Sequence, residues 1–300
     1  MAKIQRISDN RTLLRGLYLI SCLFTKNSVN LPPPYYSNII AWGSKRFIRI
    51  VIPVIKVFDI WPFRRSCTLA GEGLLQGFTD CHCHLLPGVD DGARTMEESL
   101  RLLRIYEMWG IREVWLTPHI MEDIPNTVDG LRARFAELQE AYQGPIQLHL
   151  AAEHMLDNLF EARLKQNALL PIGKEGRHLL VETSYFNPPM GFYDLVTRIC
   201  SAGYMPLLAH PERYIYMEEK DYERLRDLNV KFQLNLFSLV GGYGPDARKK
   251  AEWLLKEEYY QVCGLDMHRQ ALVNPDMLQQ SVRENVFRQL QRLVENGYEL

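Results

Sequence analysis

Residues 78–92 read Phe78-Thr79-Asp80-Cys81-His82-Cys83-His84-Leu85-Leu86-Pro87-Gly88-Val89-Asp90-Asp91-Gly92. A short, largely apolar run that ends in an H-x-H pair reads as a strand delivering two imidazoles to one place. Side chains two apart on a strand share a face and lie about 6.6 Å apart along the chain, so His82 and His84 can reach one metal ion. Cys81 and Cys83 fall on the opposite face and read as packed, buried thiols.

Outward from this stretch the same unit repeats. Seven short apolar runs alternate with segments of helical periodicity: 78–85, 114–119, 146–153, 178–183, 206–210, 231–237 and 261–266. This is the sequence form of β/α units joined by right-handed crossovers. Thr95 with Glu98 predicts a capping box for a helix carrying Met96, Leu100 and Leu103. Val128, Leu131, Phe135, Leu138 and Tyr142 step along the next helix, and Leu278, Val282, Val286, Leu290 and Leu293 along the last. Periodicity alone leaves a closed barrel and an open doubly wound sheet both available.

The polar residues decide between them. Each run ends in a potential ligand or polar group: His82 and His84, His119, Glu153, Glu182, His210, Asn235, then Asp266 and His268. In a β/α barrel such ends converge on one mouth, so a barrel is expected. Asp91, Glu153, Glu182 and Asp266 offer hard oxygen, and His82, His84, His119, His210 and His268 offer imidazole nitrogen. These groups exceed the four or so that a single zinc takes, which implies two or three metals. Three divalent ions set against four carboxylates and one hydroxide leave a charge of roughly +1, a field suited to a phosphate ester and its hydrolysis by metal-activated water.

The composition agrees with a folded enzyme and excludes several alternatives. The chain has 300 residues, 47% hydrophobic and 24% charged, enough to bury a large core. Its net charge of −1 gives no global field for nucleic acid. That total hides a cancellation: residues 1–60 carry nine Lys/Arg against two Asp/Glu, and residues 61–300 carry 26 against 34. The first 75 residues lack regular periodicity and contain Pro32-Pro33-Pro34, so they read as a basic extension, disordered or not part of the native protein, ahead of a catalytic domain at 76–300. Translation from a start placed too early is the favoured account, with a natural beginning near Trp61, against a membrane-surface or partner-binding arm. The apolar stretches 16–24 and 48–60 are respectively too short and broken by Pro53 and Lys56 to cross a membrane. Six cysteines with no C-x-x-C pair fit a reducing compartment, and a cytoplasmic location is expected.

The motif at 80–92, together with Thr117-Pro118-His119, His210-Pro211-Glu212-Arg213-Tyr214 and Asp266-Met267-His268, closely resembles the CpsB/CapC family of bacterial protein-tyrosine phosphatases, within the polymerase and histidinol phosphatase (PHP) superfamily. The resemblance covers about residues 77–269. It implies a distorted seven-stranded (β/α)7 barrel with a trinuclear site, manganese as Mn(II) in the first place, with iron, zinc or magnesium as alternatives. It also implies a phosphotyrosine-bearing protein substrate, the tyrosine-rich tail of a bacterial kinase that controls capsule or exopolysaccharide assembly. On this basis His82, His84, Glu153 and Asp266 hold a first metal, and Glu153 bridges to a second completed by Glu182 and His210. Asp91, His119 and His268 bind a third. Asp157 is the alternative carboxylate to Glu153. Arg213 is expected to clamp phosphate, a role suited to a planar fork of donors. Family members commonly carry a further arginine a few residues beyond the D-x-H motif; here Arg269 follows His268 immediately and stands as its candidate.

Other readings compete. A small-molecule phosphoesterase such as a histidinol phosphatase uses the same superfamily barrel, and substrate choice lives in loops. Amidohydrolases also open with H-x-H but typically place a modified lysine where this chain has Glu182. A non-catalytic interaction protein stabilised by metal is the third reading. Cys263 to Arg269 matches the C-x5-R spacing of cysteine-dependent phosphatases, but Asp266 stands where phosphate would sit, so chance is the better account. His149, His154 and His178 are expected to be structural. The Tyr185-Phe186-Asn187-Pro188-Pro189 loop is placed to flank a substrate phenol, and Gly241-Gly242-Tyr243-Gly244 reads as a connection or a lid.

Overall fold

The computed structural model describes residues 38–39, 50–51, 66–71, 73–269, 274–295 and 298–300. The chain divides into two units, Met1–Phe63 and Arg64–Leu300. In the first, β1 (Asn38–Ile39) and β2 (Ile50–Val51) pair antiparallel; the rest of the expected basic extension up to residue 63 lies outside the described residues.

The second unit is a mixed α/β fold built on a curled parallel sheet. Its strands are β3 (Ser66–Thr68), β4 (Thr79–Cys83), β5 (Glu113–Leu116), β6 (His119–Ile120), β7 (Gln147–Leu150), β8 (Glu153–Met155), β9 (His178–Glu182), β10 (Met205–Ala209), β11 (Lys231–Asn235), β12 (Val262–Gly264) and β13 (Ser281–Arg283). Parallel pairing runs β4-β5-β7 in one sheet and β6-β8-β9-β10-β11-β12 in the other. Two of the seven expected strands are therefore each split in two. The run 114–119 breaks at Thr117-Pro118, where proline removes a ladder donor; the run 146–153 breaks at Ala151-Ala152. Hydrogen bonds bridge the breaks, from Thr117 N to Cys83 O (2.9 Å), Ala151 N to Leu116 O (2.8 Å) and Glu153 N to Pro118 O (3.1 Å). At the far edges, Cys83 and Met267 form an isolated parallel bridge, with Asp266 N donating to His82 O at 2.6 Å and His84 N to Met267 O at 2.8 Å.

Alternation along the strands separates two apolar layers. Leu179, Val181 and Leu208 belong to the larger core, under the helices Met96–Trp109, Phe192–Ser201 and Gly244–Lys256. Leu180, Leu207, Ala209, Ala151 and Trp115 form a smaller cluster on the other face. Glu153 and Glu182 lie two residues beyond Ala151 and Leu180, so the polar groups crown this second face at the C-terminal strand ends.

Several expectations are corrected. Thr95 does cap its helix, its Oγ1 accepting from Glu98 N at 3.2 Å, but the Glu98 carboxylate accepts from Arg94 N rather than returning to Thr95. Leu236–Leu239 is a helical turn, not the end of a strand, because Asn235 Oδ1 accepts from Phe237 N at 2.9 Å and starts it. The last helix covers only Glu284–Glu295; Leu278 lies in a 3-10 turn and Val282 in β13. Strand β13 pairs antiparallel with β3, which also moves the domain boundary: residues from Ser66 onward, assigned by sequence to the extension, belong to the folded unit, with Leu69 and Leu75 buried in its core.

Candidate metal centre

All nine sequence-predicted ligands come together at the strand ends. Atoms within 4.8 Å of one another define four groups: His84, Asp91, His119 and His268; His82, His84 and Asp266; His82, Glu153 and His210; His119, Glu153 and Glu182. The first group contains the expected set Asp91, His119 and His268 with His84 added; the second holds His82, His84 and Asp266 of another expected set without Glu153; and the expected trio Glu153, Glu182 and His210 is divided, His210 falling with His82 and Glu182 with His119. Glu153 stands between the third and fourth, its Oε1 2.9 Å from His210 Nε2 and its Oε2 3.1 Å from His119 Nδ1. Asp157 is in none of them; it pairs with Arg163 at 2.9 Å. Only Asp91 is substantially exposed, at 49% of its side chain.

Backbone conformation aims these groups. His210 follows Ala209 directly, and its φ of 34° turns it off the strand; Asp266 has φ 47°. The left-handed region is costly for side-chain-bearing residues and gathers at functional sites. Close approach is secured at Gly264, where a Cβ would come within 2.7 Å of His82 Cβ.

The imidazoles are oriented by residues that sequence reasoning left without a role. Gln233 Oε1 accepts from His210 N–H (3.2 Å), which fixes the amide orientation, and therefore also accepts from His82 Nδ1–H at 3.0 Å. Asp90 Oδ2 takes the His84 Nδ1–H at 2.9 Å and the His119 backbone N–H at 3.1 Å. Both Nε2 atoms of His82 and His84 then carry lone pairs in the neutral rings, yet they lie 3.2 Å apart. A signal for Gln233 exists in the sequence: it is a polar residue two before Asn235 in an otherwise apolar strand.

This arrangement fits metal ions. Glu153 Oε2 lies 3.2 Å from His82 Nε2 and 3.3 Å from His84 Nε2, and His119 Nδ1 lies 3.1 Å from Glu182 Oε1. Yet Glu153 Oε2, Glu182 Oε1, His119 Nδ1 and His210 Nδ1 are buried with no hydrogen-bond partner among the described residues. Buried polar atoms seldom go unpartnered. Atoms held about 2.1 Å from a common ion sit roughly 3.0–3.4 Å apart, the spacing found here. The electrostatics agree. Burial alone would lower the His82 pKa, but the facing Glu153 and Asp266 carboxylates outweigh it and lift it to about 9. Burial opposes ionisation of Glu153 and Asp266, and the surrounding imidazoles overcome it and hold both well below the usual carboxylate range. A pocket that holds protons so strongly is a pocket built for positive charge.

Arg213 lies half-buried beside this cluster. Its Nη1 donates to Asp266 Oδ2 at 2.9 Å, and its guanidinium carbon lies 4.3 Å from the Tyr185 ring centroid and 4.0 Å from that of Tyr243. Tyr185 therefore stacks on the arginine, and Tyr243 belongs to the site rather than to a plain connection. Arg269 is half-buried next to His268, with Nε lacking a hydrogen-bond partner among the described residues. Cys263 is buried, and burial with the nearby Asp80 pushes its thiol pKa up, the reverse of what thiolate catalysis needs. Cys81 and Cys83 are buried as expected, their thiols donating to Cys263 O and Trp115 O. His149 stacks on Trp115, His154 accepts from Leu170 N, and His178 contacts the Tyr298 hydroxyl; none joins a ligand group.

Fold and site together define a mixed α/β protein whose parallel strands end in a buried histidine–carboxylate cluster of metal-ligand type. More particularly, the chain belongs to the CpsB/CapC family, described as capsular polysaccharide synthesis, CpsB/CapC, whose profile matches residues 78–294. Tyrosine-protein phosphatase YwqE of Bacillus subtilis is 27% identical over 199 residues, covering 63% of this chain and 76% of that protein. Tyrosine-protein phosphatase CpsB of Streptococcus pneumoniae is 26% identical over 202 residues, covering 63% and 82%. A crystal structure from the YwqE and CpsB pair, metal-dependent tyrosine phosphatases, matches with a TM-score of 0.61 at 22% identity, over 73% of this chain and 87% of that one.

Proposed function

We propose that this protein is a metal-dependent protein-tyrosine phosphatase acting on a phosphotyrosine-bearing bacterial kinase that controls capsular or exopolysaccharide synthesis, in the cytoplasm. Family membership and the names of its relatives support the activity. The observation that carries the reading is the pair of His82 and His84 Nε2 atoms, 3.2 Å apart, with Nδ1 of each ring beside a side-chain acceptor. Among the described residues no helix is long and apolar enough to cross a membrane.

The two sheets are read as one distorted seven-stranded (β/α)7 barrel of the PHP type, supported by the Cys83–Met267 bridge between their edges. His82, His84, Glu153 and Asp266 would hold one ion, Glu153, Glu182 and His210 a second, and Asp91, His119 and His268 a third, with Mn(II) the favoured metal. Ions held by these residues would supply a water of lowered pKa, toward about 7, and positive charge to offset that of the phosphate. Arg213 presents a planar fork of donors to phosphate oxygens, pre-positioned by Tyr185, Tyr243 and Asp266. Arg269 supplies a second cation. A phenol leaving group has a pKa near 10 and needs less protonation than an alkoxide, so no side chain is assigned as general acid.

The test compares hydrolysis of a phosphotyrosine peptide, a phosphoserine peptide and histidinol phosphate with Mn(II), Zn(II) and chelator. Turnover of the first with Mn(II), abolished by chelator, is expected. Preference for histidinol phosphate overturns the protein-phosphatase reading.

A further inference from the structure

Two loops leave the candidate metal centre together. The segment after β9 carries Tyr185, which stacks on Arg213, and three residues later reaches Pro188. The segment after β10 carries Arg213 itself and three residues later reaches Tyr216. Ile215 N donates to Tyr185 O at 2.9 Å, tying the two loops side by side. Pro188 and Tyr216 both line a surface cavity of about 530 Å³, together with Pro189, Phe192, Tyr193 and Met217. Three residues of chain span at most about 10 Å, so the backbone at the edge of this cavity lies within that reach of the Arg213 backbone. The ground between is apolar and uncovered: Phe186 is 66% and Ile215 68% exposed.

Most of the charged groups around the cavity are already engaged, the exposed Asp194 at its rim being the exception. Lys220 pairs with Glu218 at 2.7 Å, Arg224 stacks 3.6 Å over the Tyr193 ring, and Asp221 accepts from the Tyr193 hydroxyl at 2.8 Å. Beside these groups the cavity offers an aromatic and proline surface, the kind that takes an apolar side chain.

We infer that this cavity is a peptide subsite, receiving an apolar side chain two or three residues from the phosphotyrosine, with Phe186 and Ile215 as the floor over which the peptide backbone runs. An extended peptide advances about 3.3 Å per residue, so its second and third neighbours fall within that span. The inference rests on the phosphatase reading and names what that site selects: phosphotyrosine within an apolar sequence context, in preference to phosphotyrosine alone.

The test uses the full chain loaded with Mn(II), acting on free phosphotyrosine and on phosphotyrosyl peptides that carry Ala, Leu or Asp at each of the three positions on either side. Leu at the second or third position on one side should raise kcat/KM about tenfold over Ala, the scale of one filled apolar pocket. Phe186→Ser and Tyr193→Leu should each remove most of that advantage through KM rather than kcat. Phe186 is exposed, so its variant tests the floor even if loss of the Tyr193 ring disturbs folding. Equal kcat/KM for free phosphotyrosine and every peptide, a preference for Asp, or a Leu advantage untouched in both variants would each overturn the subsite. Absence of turnover on any of these phosphates, free phosphotyrosine included, would instead overturn the phosphatase reading.

Discussion

Arg213 and Asp266 are joined by a 2.9 Å contact from Nη1 to Oδ2, and that contact divides the work of the carboxylate. Oδ2 also accepts from Asn235 Nδ2 at 2.9 Å, while Oδ1 faces His82 and His84 at 3.3 Å each. One oxygen is given to positioning the arginine and the other to the ligand cluster. Arg213→Lys keeps a charge but loses the fork and the stacking between Tyr185 and Tyr243. Its kcat/KM on a phosphotyrosine peptide is expected to fall about 100-fold, the scale for losing a preorganised donor. Steady-state kinetics with Mn(II) check this, and a loss of only a few-fold would remove Arg213 from the phosphate site.

Asp90 and Gln233 act through the imidazoles they hold. Asp90→Ala and Gln233→Leu free the Nδ1 protons of His84 and His82, so each is expected to weaken metal binding about 10- to 100-fold. Competition with a metallochromic chelator measures the affinity directly, and unchanged affinity would show that the rings are held by packing alone.

Metal removal should reduce stability as well as activity. A buried cluster of carboxylates and imidazoles with orphaned atoms is relieved by cations that bind only the folded chain. At a metal concentration about 100 times Kd the gain is about 2.7 kcal/mol per site. Thermal unfolding with and without Mn(II) reads this as a raised Tm, and a Tm indifferent to metal and to chelator contradicts the fit.

His154 gives a pH dependence of its own. Burial lowers its pKa to about 4, and its Nε2 accepts from Leu170 N–H. The unfolded chain protonates at about 6.5 while the folded one does not, so stability is full above that value and falls as pH drops toward 4. The loss is up to about 3 kcal/mol. Denaturant melts from pH 7.5 to 4 should show this slope diminished in His154→Gln, which can still accept from Leu170.

Thiol chemistry is not expected. Cys263→Ala should keep phosphatase activity within about twofold, because a buried thiol with a raised pKa is a poor nucleophile. Loss of turnover with metal affinity intact would reopen the cysteine mechanism.

Much of the site was legible because strand periodicity is local. His82 and His84 are two apart, and His119, Glu153, Glu182, His210 and Asp266 each close an apolar run, so their residue types and common end of the sheet follow from the chain alone. The sequence also shows that Cys263 and Arg269 make a poor phosphate cradle, since Asp266 lies between them.

What it could not determine is everything set by distance between elements. His84 stands with Asp91, His119 and His268 as well as with His82 and Asp266. Gln233 serves His82 from 151 residues away, and Tyr185 and Tyr243 enclose Arg213 from two different loops. Likewise Ser66–Thr68 looks like extension until Ser281–Arg283 pairs with it. Side-chain spacing along one strand is fixed by covalent geometry and can be read directly. Which strands neighbour one another, and in what register, is decided by burial of the whole core, and so only the tertiary structure assigns these partners.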